Sequence, residues 1–256
     1  MRNNTMKRKM LDGGTTLGPF VGWPAPALVE LMGWAGFDFV VIDCEHGIMD
    51  YETSENMIRA AELSGTTPIV RIGMNDQQHI QRYLEGGAQG VMIPLINNGE
   101  QGRAVVDAVK YPPVGKRGGF SGRSAMFGIQ DQAEYVKQAN EETFVCLQIE
   151  TPESIVNADE IINTEGADCI FMGPGDLSLN MGYPGQIAHP EVVEAIETLV
   201  KKTHDAGKIS GTLGVTVEQA QFWHERGVQW IVSGASRFLL AEARAYLDQT
   251  RGSGVG

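Results

Sequence analysis

DFVVIDCEHGIMDYETSENMIRAAELSGTTPIVR, residues 38–71, reads as strand, helix, strand. DFVVID (38–43) and TPIVR (67–71) are short apolar runs of strand length, and the segment 51–64 between them has helical period. Two strands joined through a helix run parallel, because the crossover is too long for a hairpin. The alternation recurs on both sides. Further strands are expected at 17–21 (LGPFV), 90–94 (GVMIP), 144–150 (FVCLQIE), 168–172 (DCIFM), 208–213 (KISGTL) and 229–233 (QWIVS). Helices are expected near 25–35, 76–86, 98–109, 152–163, 190–206, 216–226 and 235–248. Eight such units in 256 residues predict an α/β fold closed into a (β/α)₈ barrel. A doubly wound open sheet is the alternative. It would want a GxGxxG phosphate turn after an early strand, and the sequence has none. One domain is expected over 1–256, with 250–256 (TRGSGVG) as a flexible tail.

The formal net charge of −12 argues against nucleic acid or an anionic membrane as partner. It also requires a local positive centre wherever an anionic substrate binds. Cys44, Cys146 and Cys169 form no CxxC pair and read as small core residues in a reducing compartment. The start, MRNNTMKRKM, is polar, and no stretch approaches a membrane span, so a cytoplasmic protein is expected. The segment 111–128, YPPVGKRGGFSGRSAMFG, is rich in Pro and Gly and carries Lys116, Arg117 and Arg123. An insertion of that length is often functional or an interface.

Barrel active sites lie at the C-terminal ends of the strands. There the sequence places Asp43-Cys44-Glu45-His46, then Arg71, then Gln148-Ile149-Glu150, then Gly173-Pro174-Gly175-Asp176. Alternation along 144–150 puts Phe144, Cys146, Gln148 and Glu150 on one face. The other face, Val145, Leu147 and Ile149, suits the surrounding helices, so Gln148 and Glu150 should point into the mouth. Glu150 and Asp176 converging without a strand-end lysine suggest a hard cation, Mg²⁺ or Mn²⁺. A structural Glu150–Arg71 ion pair is the competing reading. Asp43 beside His46 suggests an oriented general base. His79, His189, His204 and His224 read as surface residues. The glycines of 173–176 and the short helical turn after them offer backbone N–H groups to a carboxylate.

The strings VVIDCEHGIMD, PIVRIG, GAQGVMIPLINN, YPPVGKRGG, QIET, FMGPGDLSLNMGYPG and HPEV run in order from about residue 17 to residue 248. Together they resemble the HpcH/HpaI-type family of metal-dependent (class II) pyruvate aldolases. The resemblance implies Glu150 and Asp176 as metal ligands, with Co²⁺ or Zn²⁺ also acceptable to such a site. It implies Arg71 on the keto oxygen, and His46, oriented by Asp43, as the base acting through a water on the metal. Gln148 would line the pyruvate site, and N–H groups at Gly175 and Asp176 would hold the pyruvate carboxylate. Leu213 would cover the aldehyde side, and Glu85 would reach a neighbouring subunit's site. It further implies a homo-hexamer, a trimer of dimers with the last helix exchanged. Cys44 stands where the family commonly has glycine, and Phe20 near where it has tryptophan; both border the aldehyde side.

The implied reaction is reversible cleavage of a 4-hydroxy-2-keto acid to pyruvate (or hydroxypyruvate) and an aldehyde. A Schiff-base aldolase is disfavoured, because no lysine ends a strand. Two rivals remain. A citrate-lyase-like or malyl-CoA-lyase-like enzyme would need room and basic residues for CoA. A non-enzymatic carboxylate-binding barrel would need no base.

Overall fold

A computed structural model describes residues 1–119 and 122–252. Eight parallel strands follow one another in chain order and close on themselves. They are β1 (Thr16–Val21), β2 (Phe39–Asp43), β3 (Thr67–Arg71), β4 (Gly90–Ile93), β5 (Phe144–Ile149), β6 (Cys169–Met172), β7 (Ile209–Leu213) and β8 (Trp230–Gly234). β1 pairs with both β2 (Phe20 opposite Val41) and β8 (Thr16 opposite Trp230), which completes the (β/α)₈ barrel. The helices are α1 (Thr5–Leu11), α2 (Pro26–Trp34), α3 (Tyr51–Ser64), α4 (Gln77–Glu85), α5 (Gly99–Val109) and α6 (Gln132–Glu142). They continue with α7 (Pro152–Val156), α8 (Ala158–Ile162), α9 (Pro174–Asn180), α10 (Pro190–Asp205), α11 (Val217–Glu225) and α12 (Ala235–Arg251).

The strands read as near-continuous apolar runs because both of their faces are buried. Inward residues, among them Phe39, Ile69, Phe144, Cys146, Phe171 and Trp230, make one cluster. Outward residues, such as Val40, Ile42, Val145, Leu147 and Ile149, pack with the helices in another. Trp230 sits among Phe39, Phe144 and Phe171, with ring centroids 5.2, 5.2 and 5.6 Å away. A Cβ at Gly211 would meet Trp230 at 2.9 Å and Phe171 at 3.0 Å, so the indole needs glycine opposite it.

Each strand lies within a residue of its expected bounds. Two helices were not expected. α1 is short and mostly polar, yet Met6 and Met10, one turn apart, are both 1% exposed and join the interior cluster. Asn4 caps it, accepting from the Lys7 N–H at 2.9 Å, and Lys7 Nζ reaches Asp168 at 2.8 Å. α6 carries few apolar residues, with Tyr135 and Ala139 buried. The single helix expected over 152–163 is two, with Asn157 between them. α12 runs on through Thr250 and Arg251, which were expected in the tail; residues 253–256 lie outside the described residues. So do Phe120 and Ser121 of the 111–128 insertion. Within that insertion Lys116 pairs with Asp107 at 2.6 Å and Arg123 with Glu62 at 2.5 Å. No helix among the described residues is long and apolar enough to cross a membrane.

Candidate active site

Asp43 and Arg71 are register partners at the ends of β2 and β3. The guanidinium forks onto the carboxylate, Nε to Oδ1 at 2.9 Å and Nη2 to Oδ2 at 2.6 Å. Its remaining nitrogen, Nη1, stands 3.3 Å from Glu45 Oε2, and the Phe20 ring lies 4.3 Å from the guanidinium carbon. Arg71 is thus held on three sides at the mouth.

This corrects the expected Asp43–His46 pair. The Asp43 carboxylate accepts from the backbone N–H groups of Glu45 and His46, at 3.2 and 3.3 Å, so it shapes the turn and not the imidazole. The ring is exposed, and the carboxylate near it is Glu45, 3.8 Å from Nε2. Strand register explains the difference: the side chain directly across from Asp43 is a guanidinium that can fill both of its oxygens. Glu45 was missed, although its spacing of two from Asp43 was a signal. Its Oε2 is buried and makes no hydrogen bond, and burial raises its carboxyl above the ordinary range against the pull of Arg71.

Glu150 follows β5 and is 2% exposed. Its Oε1 accepts from Leu95 N–H at 2.9 Å, and its Oε2 from Gln148 Nε2. Leu95 adopts φ +56°, a strained backbone for leucine that turns its N–H onto the carboxylate. A Cβ at Gly173 would meet Glu150 Oε2 at 2.7 Å and Gln148 Nε2 at 3.0 Å, so glycine there leaves the carboxylate its place. Burial, then the charges of Asp176 and Glu45, push the Glu150 carboxyl up to about 7 against its hydrogen bonds. The Glu150–Arg71 ion pair does not form; Arg71 is taken by Asp43 and Glu45.

Gly173 caps α9, and Asp176, exposed, occupies its first turn. A Cβ at Gly175 would touch nothing within 4 Å, so the backbone there is open to a ligand. Gln148 is 2% exposed and its Oε1 has no partner. Leu213 ends β7, half-buried, and lines an apolar cavity with Pro174 and Phe222. Glu85 is not brought to this mouth. It ends α4, toward the opposite rim, where it accepts from Gln81 at 2.7 Å. Cys44 bonds Ser54 Oγ at 3.3 Å, and burial raises its thiol, which disfavours a nucleophile.

No three His, Cys, Asp or Glu side chains converge among the described residues. A magnesium-type ion keeps water and substrate ligands beside one or two carboxylates. Mutually repelling carboxylates, one of them buried over Gly173, fit such a cation.

Residues 17–243 match the model of the family described as HpcH/HpaI aldolase/citrate lyase. The chain is 35% identical over 239 residues to the 4-hydroxy-2-oxo-heptane-1,7-dioate aldolase of Klebsiella pneumoniae, covering 93% of this chain and 90% of that one. Its fold matches an HpcH/HpaI aldolase/citrate lyase family protein from Burkholderia cenocepacia J2315 at TM-score 0.92, with 27% identity over 98% of this chain and 100% of that one. An HpcH/HpaI aldolase from Desulfitobacterium hafniense DCB-2 matches at TM-score 0.88, with 30% identity over 94% and 96%. Barrel, strand-end residues and sequence agree, and the chain belongs to the HpcH/HpaI aldolase/citrate lyase family of carbon–carbon lyases.

Proposed function

We propose that the chain cleaves a 4-hydroxy-2-keto acid reversibly to pyruvate, or hydroxypyruvate, and an aldehyde, with a divalent cation held by Glu150 and Asp176. The observation that carries this is the buried Glu150 carboxylate, seated over Gly173 at the same mouth as Arg71. When bound, Mg²⁺ or Mn²⁺ supplies Lewis acidity toward the keto and carboxylate oxygens. Gln148 holds Glu150 in place and offers an unpaired amide oxygen to a water or ligand hydroxyl. The open backbone at Gly175 receives the substrate carboxylate. Arg71, locked by Asp43, Glu45 and Phe20, stabilises the charge that develops on the keto oxygen as the C3–C4 bond breaks. His46 takes the C4 hydroxyl proton in cleavage and returns it in synthesis. Leu213 limits the aldehyde side. The relative named for 4-hydroxy-2-oxo-heptane-1,7-dioate supports this substrate class.

Chelator treatment, and separately Glu150→Ala, should abolish turnover of a 4-hydroxy-2-keto acid while leaving the circular dichroism of the barrel unchanged. Mn²⁺ should restore only the chelated wild type. Full turnover in the metal-free enzyme, or a lysine adduct trapped by borohydride with pyruvate, would overturn the proposal.

We also propose a homo-oligomer, a hexamer formed as a trimer of dimers through α12, bringing Glu85 to a neighbouring subunit's mouth. What supports α12 as the contact surface is its run of exposed apolar residues: Phe238, Leu239, Leu240, Tyr246 and Leu247.

A further inference from the structure

Glu150 is held at each of its polar atoms, and by different parts of the fold. Its N–H donates to Ser154 Oγ of α7 at 3.2 Å. Its Oε1 accepts from Leu95 N–H in the turn after β4, and its Oε2 from Gln148 of β5. Its backbone carbonyl accepts from Nδ2 of Asn180, the last residue of α9, at 3.1 Å. The first three bonds fix where Glu150 and its carboxylate stand. The fourth reaches the helix that carries Asp176.

α9 starts from the same strand end. Gly173, its cap, donates its N–H to the Ile149 carbonyl at 3.0 Å. Asn180 takes the next carbonyl of the chain, that of Glu150. The helix is thus fastened at both ends to two consecutive carbonyls at the end of β5, and Asp176 stands between the fastenings. Leu177 and Ser178, both buried, seat one face of α9 in the protein. Asp176 and Asn180 are four residues apart, so they share the other face, which is exposed.

The two fastenings differ in kind. The first is main chain, and any residue but proline could make it. The second depends on one side chain, after which residues 181–189 form neither helix nor strand. Asn180 is exposed and belongs to neither large hydrophobic cluster, so closing the barrel does not call for it. What the bond does is set a distance. Glu150 and Asp176 carry like charges, and the charge of Asp176 bears on the Glu150 carboxyl. Carboxylates that repel move apart unless the backbone beneath them is held. A cation between them binds more tightly when the spacing is already set, which is why side chains behind the ligands affect metal affinity.

We propose that Asn180 is a positioning residue of the metal centre, fixing through the Glu150 carbonyl how far the Asp176 carboxylate stands from that of Glu150. This rests on the reading of Glu150 and Asp176 as the ligands of the cation.

The test is the affinity of the full chain for Mn²⁺, measured without substrate from the electron spin resonance signal of the free ion. Wild type is compared with Glu150→Ala, Asn180→Leu and Asn180→Gln. Leucine keeps the size and branching of asparagine without a donor, and glutamine keeps the amide. Glu150→Ala should lose the ion. Asn180→Leu should bind it about tenfold more weakly, with an unchanged far-ultraviolet circular dichroism spectrum. The Mn²⁺ concentration for half-maximal turnover should rise by the same factor. Asn180→Gln should recover most of the lost affinity. Wild-type affinity in Asn180→Leu, beside lost affinity in Glu150→Ala, would overturn this inference alone. Wild-type affinity in Glu150→Ala would overturn the reading of the cation site and this inference with it. An unfolded spectrum for Asn180→Leu would also overturn it, by making the bond a contribution to folding. So would an Asn180→Gln chain that binds Mn²⁺ no better than Asn180→Leu.

Discussion

Asp43 shows what a sequence reveals about a site and what it withholds. Asp43, Arg71, Gln148, Glu150 and Asp176 were legible because each stands at or just past a strand end, where a barrel concentrates its chemistry. Partnership was not legible. Asp43 is three residues from His46 and twenty-eight from Arg71, yet strand pairing sets it against Arg71. Variants should follow the pairing. His46→Ala should lower aldol turnover about 10²–10⁴-fold and change the pH profile if it is the proposed base. Asp43→Asn should behave instead like Arg71→Ala, slowing deuterium exchange at C3 of pyruvate, because it loosens the guanidinium proposed to face the keto oxygen. If Asp43→Asn reproduced the pH profile of His46→Ala and spared exchange, Asp43 would be acting on the imidazole after all.

Among the elements, strands were easier to read than helices. A strand buried on both faces writes its position as an unbroken apolar run, as FVCLQI does. A helix writes its position only through period, and α1 has about two turns in which to do so. Its two methionines, on a background of Arg and Lys, carry little weight in any window of usual length. Their burial is nonetheless complete, and removing it should be costly. Met6→Ala and Met10→Ala should each destabilise the fold by about 2–5 kcal/mol. The measurement is the urea midpoint. Neither change should alter the KM for the keto acid, since both side chains lie at the far rim from Arg71. A midpoint unmoved in both variants would mean that α1 lies over the barrel without contributing to its core.

For the whole molecule, the closed barrel followed from counting eight strand–helix units, and TM-scores near 0.9 to two family structures agree with that count. Assembly is another matter, because one chain does not display its neighbours. What it displays is α12, whose apolar side chains face outward along much of its length. Leu240→Glu with Leu247→Glu should split the proposed assembly, read as a lower mass by size-exclusion chromatography with light scattering. An unchanged mass would show that α12 does not hold the subunits together. Closure also has a temporal side. Met10 carbonyl accepts from Gln229 Nε2 at 2.7 Å across 219 residues of chain, and Met6 shares its cluster with Trp230. Contacts of that span form late, after the intervening loop has been closed. During synthesis α1 is made well before β8, so Met6 and Met10 lack the Trp230 part of their cluster until the eighth strand emerges.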